Sequence, residues 1–527
     1  MSRPRLPTLL ATAAVAAIVC ASCARAETLE EAIAYVYQTD AGLQGQRAAV
    51  RATDELSVQA RNALGPQASV GYTFGRQEID RGPTTAHAFN PSWSATITQP
   101  LYTGGRQSAR IEQATSQILV ARQNLRRFEA ELLQRVINAY TAVRRDQEVV
   151  RISADAVKVL AQQLSDTLAK SEERVVTATD VAQARARLAS ARTQLAFAEG
   201  QLAVSRAQYV STIGKAPGEL APEPALPEPP REVTAAFRMA EENNPNLLVA
   251  EFNERASRAR VAEARAGRRP NVALRVEGAR QPTLPYARAG EVESLTTSLA
   301  VTQPIFTSGV TSSQIRQAVE ENNRDRLNIE ATRKLVISAV AEAWESLAAS
   351  RTALITQDEE VRDHQVAFIG VREEERLALR GTLDVLNAEA ELRAAQLDLV
   401  RSRAAEYQRR AQLLAALGML STETLAPQVE RYDPADNLRS VSGSPLGPLT
   451  GAVATLDRVG APPLGARRPA TIENLTPPSI SALPAAPDTR TAVKIELTSE
   501  LVARANRGRR ARVQEREAAE PARRPSR

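Results

Sequence analysis

Thr98-Gln-Pro-Leu-Tyr-Thr-Gly-Gly105 and Thr302-Gln-Pro-Ile-Phe-Thr-Ser-Gly309 are two copies of one stretch. Each ends an alternating segment and opens a very long stretch of helical pattern. The proline removes a backbone donor and closes a strand, and the glycine turn re-aims the chain. The β-to-α junctions are therefore placed at Pro100 and Gly105, and again at Pro304 and Gly309.

Working outward, other marks recur at the same spacing of 204 residues: Gly65-Pro66 with Arg269-Pro270, Asp180 with Asp384, Tyr140 with Trp344, Ile213-Gly214 with Leu417-Gly418, and Asp40-Ala41 with Asn244-Pro245. A shared offset without a net insertion reads as an internal two-fold repeat. The units are residues 27–222 and 231–427, joined by a stiff Pro-rich linker, 223–230.

Before each junction lie two segments of period two. In the first unit these are strands 67–76 and 92–101, where Val70, Tyr72 and Phe74, then Trp93, Ala95 and Ile97, alternate with small or polar residues. Polar, turn-rich residues from about 78 to 91 read as a loop between them. The second unit gives strands 271–278 and 294–303. After the junctions, helices are expected over 105–172 and 180–213, and over 309–376 and 384–417. Ile111, Ala114, Ile118, Ala121, Leu125, Phe128 and Leu132 make a heptad seam rich in alanine. At ~1.5 Å per residue the first long helix is a rod of about 100 Å.

Residues 1–26 carry a basic start, an apolar run from Leu9 to Val19 and Ala24-Arg25-Ala26, the pattern of a secretory signal cleaved after Ala26. Cys20 and Cys23 both fall inside it, so the mature chain would have no thiol; ordinary cleavage is preferred to lipidation at Cys23. The net charge of +6 is unevenly held: the signal carries +3 and residues 428–527 carry +5, leaving −2 for the body. That argues against a nucleic-acid partner. Residues 428–527, rich in Pro, Ala, Ser and Arg, read as a disordered basic periplasmic tail. Only His87 and His364 are present, so the imidazole chemistry of common hydrolases and metal sites lacks parts; no enzyme and no cofactor is expected.

Strands cross a bilayer only as a closed barrel, and known barrels start at about eight strands. Four strands per chain cannot close, so several chains must share one barrel, and three would give twelve strands. The small and polar face, with Arg275 and Glu277, would then line an aqueous lumen.

The doubled Gln-Pro-aromatic-Gly junction resembles that of the TolC family of outer-membrane exit channels. So do Thr177-Ala-Thr-Asp-Val-Ala-Gln-Ala184, Thr382-Leu-Asp-Val-Leu-Asn-Ala388, the opening Thr28-Leu-Glu-Glu-Ala32, and Asn244-Pro245. The likeness covers about Thr28 to Pro427 and leans toward type I secretion proteins, because the signal lacks a convincing lipid site. It implies a homotrimer, mainly α with membrane β: a 12-stranded barrel in outer-membrane lipid, continuous with a long α-helical tunnel. A periplasmic adaptor and an inner-membrane transporter, ABC or other, would dock below, and an exported protein or small molecule would pass through. The hairpin tips would carry adaptor contacts at Thr177, Thr179, Asp180, Gly381, Thr382 and Asp384, although the glycine usual before the first tip is replaced by Arg174-Val175-Val176. Glu173, Glu374 and Glu375 are candidates for an acidic ring at the entrance. The expected function is a passive exit duct for type I protein secretion, with a multidrug efflux duct as the alternative. A periplasmic coiled-coil spacer without a pore is the reading from another class.

Overall fold

The computed structural model describes residues 26–282, 290–377, 379–442, 450–459, 461 and 483–484. The expected signal, 1–25, and most of the basic tail, including Arg507, Arg509, Arg510 and Arg512, lie outside the described residues.

Two short helices open each half. α1 (Leu29–Thr39) and α2 (Ala41–Asn62) meet at Asp40, whose Oδ1 accepts the Leu43 N–H at 2.6 Å and so starts the second helix where the first stops. β1 (Gln67–Arg81) and β2 (Thr84–Tyr102) follow, then the long helix α3 (Arg106–Glu172) and its return, α4 (Ala178–Ile213). The second half repeats the plan. α5 is Val233–Asn243, α6 Pro245–Ala266, β3 Asn271–Pro282, β4 Glu291–Thr302, α7 Val310–Arg376 and α8 Thr382–Ala416. α1, α2 and α3 begin and end 204 residues before α5, α6 and α7, so the sequence offset is also the structural one.

The expected loop over 78–91 is instead the end of a hairpin. β1 and β2 stay paired out to Arg81 opposite Thr84, turning at Gly82-Pro83. Polar residues such as Asp80 and Thr85 do not break the ladder; their side chains bond each other at 3.1 Å across it. β3 likewise runs to Pro282 and β4 begins at Glu291.

The four strands form one antiparallel sheet in the order β1-β2-β3-β4. Register sorts its side chains cleanly. One face carries the rows Ala68–Ile97–Val276–Thr297 and Val70–Ala95–Gly278–Leu295; the other carries Gln67–Thr98–Arg275–Ser298 and Ser69–Thr96–Glu277–Thr296. On the apolar face Val70, Phe74, Phe89, Leu295 and Leu299 are exposed. Tyr72 packs on Trp93 with ring centroids 4.6 Å apart, and Phe74 stacks on Phe89 at 5.6 Å. Between Tyr102 and Trp93 a strand at ~3.4 Å per residue, tilted by ~40°, rises roughly 23 Å, close to the apolar band of a membrane barrel. Among the described residues no helix is long and apolar enough to cross a membrane.

The helices pack through the alanine-rich seams. Ala114, Ile118, Leu125 and Leu132 of α3 are buried, as are Val181, Ala184, Leu188 and Ala191 of α4. The thickest core sits midway down the rods, where the short helices lie. Tyr140 and its repeat-mate Trp344 are both fully buried there. The Tyr140 hydroxyl reaches the Glu27 and Ala221 carbonyls at 2.9 and 2.7 Å, tying the chain's start to the linker.

The tail is ordered further than its composition suggests. Tyr432 packs over Arg47, and the Asn437 amide bonds the buried Asp54 carboxylate at 3.0 Å. α9 (Thr422–Leu425) ends the second unit, and α10 (Asp436–Val441) and α11 (Thr450–Val459) lie in the tail. Further on, the Pro484 carbonyl accepts from Arg351 at 3.0 Å.

Truncating Trp344 to alanine should cost about 3–5 kcal/mol, since no neighbour in the thin seams can refill the space. A drop in the thermal unfolding midpoint of the detergent-extracted protein checks this; an unchanged midpoint contradicts it.

Candidate functional site

Two regions carry the residues singled out by sequence: the junctions at the top of the rods and the hairpin tips at the bottom. At each junction a glutamine does the tying. Gln99 donates to the Leu64 carbonyl at 2.8 Å, and Gln303 donates to the Arg268 carbonyl at 3.2 Å. Each glutamine thus fastens the strand leaving the barrel to the helix end entering it. Pro100 lies where the β2–β3 register shifts. Gly105 and Gly309 take φ of 83° and 82°, the left-handed region that favours glycine.

The first junction holds a group no local pattern announced. Asp457 of α11 is fully buried. Its Oδ1 accepts from the Thr103 N–H at 2.9 Å, the Thr103 hydroxyl at 2.7 Å and the Gly105 N–H at 3.1 Å, and its Oδ2 from the Ser108 N–H and hydroxyl at 3.1 and 2.8 Å. A carboxylate thus caps the start of α3 from about 350 residues away in sequence. Burial pushes this carboxyl up, but the bonds from Thr103, Ser108 and Gly105 outweigh it and hold it below the usual carboxylate range.

At the first tip, Thr177 and Asp180 close a reciprocal cap on α4. The Thr177 hydroxyl and N–H donate to Asp180 Oδ2 at 2.7 and 2.8 Å, and the Asp180 N–H returns to the hydroxyl at 3.3 Å. Those bonds hold the Asp180 carboxyl below its ordinary value. Arg174 turns the chain with φ of 59°, a conformation glycine adopts without cost. At the second tip only half the cap exists: the Gly381 N–H donates to Asp384 at 3.3 Å, and glycine has no side chain to reciprocate. Thr179 is exposed, whereas Thr382 is buried at the start of α8.

The three candidate ring glutamates are not equivalent. Glu375 is paired with Lys170 of the other hairpin, and Glu374 with Arg380 at 3.1 Å, while Glu173 is exposed at the end of α3. Over 170–180 and 372–384, five Lys/Arg face seven Asp/Glu, so the tips keep only a weakly acidic balance. A second tie crosses the hairpins where Arg187 meets Asn387 at 3.0 Å. Between α3, α7 and α8 lies a cavity of about 260 Å³ lined by Leu160, Phe368, Leu386 and Glu389, among others. Burial pushes the Glu389 carboxyl up, against the pull of Arg393 and Arg187. Arg275 and Glu277 lie on the polar face of the sheet as an ion pair at 3.5 Å. Ala26, the expected cleavage position, directly precedes Glu27, which takes an ion pair from Lys215 at 3.0 Å.

A two-faced four-stranded sheet prolonged by paired rods of about 100 Å defines the class of outer-membrane exit ducts. The chain belongs to the outer membrane efflux protein family, which its residues 36–215 and 236–419 match, one block per repeat. It is 27% identical over 424 residues to the outer membrane efflux protein BepC of Brucella suis, covering 80% of this chain and 92% of BepC. It is 24% identical over 361 residues to the alkaline protease secretion protein AprF of Pseudomonas aeruginosa, covering 65% of this chain and 74% of AprF. Its fold matches the outer membrane protein VceC of Vibrio cholerae with a TM-score of 0.63 at 18% identity, over 74% of this chain and 96% of that one. The protein is thus an outer-membrane protein of TolC-like fold.

Two outcomes follow. Replacing Asp457 by asparagine leaves one amide donor facing N–H groups, so α11 should come away from the junction at pH 7. The wild-type carboxylate has a lowered pKa, so its contribution is complete above the ordinary carboxylate range and is lost only as the pH falls through the lowered value; α11 should stay docked at pH 5. Hydrogen exchange of residues 450–459 reads both; equal exchange in wild type and D457N would refute the cap. At the tips, Lys170→Ala combined with Arg187→Ala removes both inter-hairpin ties and should raise single-channel conductance in planar bilayers severalfold, whereas an unaltered conductance means the ties hold no closed state.

Proposed function

We propose that three copies of this chain form a passive exit duct of a tripartite export machine. Its twelve-stranded barrel lies in the outer membrane and its twelve-helix tunnel in the periplasm. The observation that carries this reading is the open sheet: among the described residues β1 and β4 each have an unpaired edge, and β4 is exposed along its whole length. In hydrocarbon such edges must be paired. Pairing β4 of one copy with β1 of the next closes the ring at three copies, puts the Val70–Leu295 row toward lipid, and turns Arg275 and Glu277 into the lumen. The tips, with Thr177, Thr179, Asp180, Gly381, Thr382 and Asp384, then form the closing end that an adaptor and an inner-membrane pump approach. Glu173, Glu374 and Glu375 sit at that mouth, with Lys170 and Arg380 offsetting much of the charge.

The cargo we assign is small molecules, because BepC, matched over 92% of its length, is an efflux protein by name. Type I protein secretion is the second reading. It is favoured by the match to AprF, a protease secretion protein, and by the expected plain signal at Ala26.

The purified protein should run as a trimer and conduct ions in planar bilayers; a monomer without conductance would remove the duct reading and favour a periplasmic spacer. Deleting the gene should sensitise cells to drugs while leaving secreted proteins in place. The reverse pattern assigns the duct to protein secretion.

A further inference from the structure

Glu27 is tied to its own chain through backbone and side chain at once. Its N–H donates to the Glu219 carbonyl at 2.8 Å, and its carbonyl accepts from the Ala221 N–H at 2.9 Å, a parallel bridge across Leu220. The same carbonyl accepts from the Tyr140 hydroxyl at 2.9 Å. Its Oε1 accepts from the Tyr209 hydroxyl at 2.8 Å and lies 3.0 Å from Lys215 Nζ. Thr28 then caps α1, and Leu29, Ala32, Ile33 and Val36 enter the mid-height core, each at 2% exposure or less. All these partners belong to the same chain, so the anchorage needs no neighbouring copy.

The height of this anchorage follows from the rods. Tyr140 stands 34 residues into α3 from Arg106, about 50 Å below the foot of the sheet at ~1.5 Å per residue. α2 climbs beside α3, from Gly42 at Phe128 to Ala60 at Gln107, and leads into β1. Glu27 is therefore at the bottom of that climb, far from the barrel.

Cys23 lies four residues before Glu27. However those residues are arranged, they reach at most about 14 Å. A diacylglyceryl group on Cys23 would have to lie in the periplasmic leaflet of the outer membrane. The reach falls short of that level by about 35 Å, the stretched length of roughly ten residues. Only the residues from Glu27 onward could supply that length, and supplying it would strip α1 from the mid-height core.

We propose that the mature chain begins at Glu27, fixed at mid-height of the tunnel, and that the folding of this start excludes a lipid anchor on Cys23. Cleavage after Ala26 turns the Glu27 nitrogen into an ammonium group that keeps the Glu219 carbonyl, a charge-assisted bond in place of a neutral one. The sequence pattern only disfavours lipidation; the fold rules it out at this spacing however good the cleavage signal. This rests on reading the sheet as a membrane barrel, which sets the level from which the gap is measured.

The test begins with the intact mass and the N-terminal peptide of the wild-type trimer. An unlipidated chain beginning at Glu27 is expected; one beginning elsewhere, or at a diacylglyceryl Cys23, overturns the proposal. Replacing residues 1–22 by a lipoprotein signal forces the lipid onto Cys23. A second form adds a Gly/Ser spacer of about 25 residues between Ala26 and Glu27, longer than the gap. In the short form, hydrogen exchange over residues 29–39 should run at least about tenfold faster than in wild type, or no trimer should form. The spacer form should recover both trimer and wild-type exchange. A short lipidated form that assembles with wild-type exchange overturns the proposal. If neither lipidated form assembles, the wild-type mass alone decides. A wild-type protein that is monomeric and does not conduct sinks the duct reading itself, a different outcome from a conducting trimer with a lipid on Cys23.

Discussion

A strand inside hydrocarbon cannot leave its backbone N–H and C=O groups unpaired, because each costs several kcal/mol (~2–7 by transfer measurements). Among the described residues the chain makes four strands and leaves both outer edges of the sheet unpaired. Everything else follows from how that deficit is met. On the proposed trimer, the surfaces that look unfinished in one chain, β4 and the exposed Leu327 and Leu335 of α7, are the ones available to neighbouring copies. The buried core is thickest at mid-height and dwindles to small clusters toward the hairpin ends.

The second constraint acts where sheet becomes helix. Each rod begins with N–H groups that no earlier turn can satisfy, at the level where water, lipid and protein meet. A left-handed glycine stands at the start of each rod. One set finds Asp457, delivered by a helix near the other end of the chain. Capping in trans joins the tail to the barrel foot, so the tail's fold and the junction's stability are one problem. The halves differ beside the two junctions, Leu64 in the first standing where the second has Arg268.

The repeat was legible because its marks are local: Gln-Pro closes a strand and a left-handed glycine starts a helix wherever they occur. The seams were legible because apolar residues recur at every third or fourth place with alanine interspersed, and Ala114, Ile118 and Ala184 are buried. The hairpin over 78–91 is not legible in the sequence because its residues are polar like those of a loop, although strands that project past a bilayer into water can be polar. α11 is not legible in the sequence because it is ten residues long in a stretch dominated by Pro, Ala and Arg, and its one informative residue pairs with donors on another element. The same holds for Lys170 with Glu375, 205 positions apart, which no spacing rule connects. Tip chemistry was half legible: Thr177 and Asp180 read as a cap and form one, but a cap and a docking contact use the same residues.

Rods joined by small residues have a mechanical consequence. Alanine seams bring helices close while burying little area per turn, so hydrophobic cohesion per unit length is low. Midway down, Tyr140, Trp344 and the buried Arg351–Glu406–Arg410 cluster lock the rods together. Below that level α3 and α4 meet α7 and α8 mainly through Lys170–Glu375, Arg187–Asn387 and a patch around Leu160 and Leu386 with a cavity beside it. Partly exposed polar ties contribute on the order of 1 kcal/mol or less each. The hairpins are therefore fixed at mid-height and held by few ties at their ends.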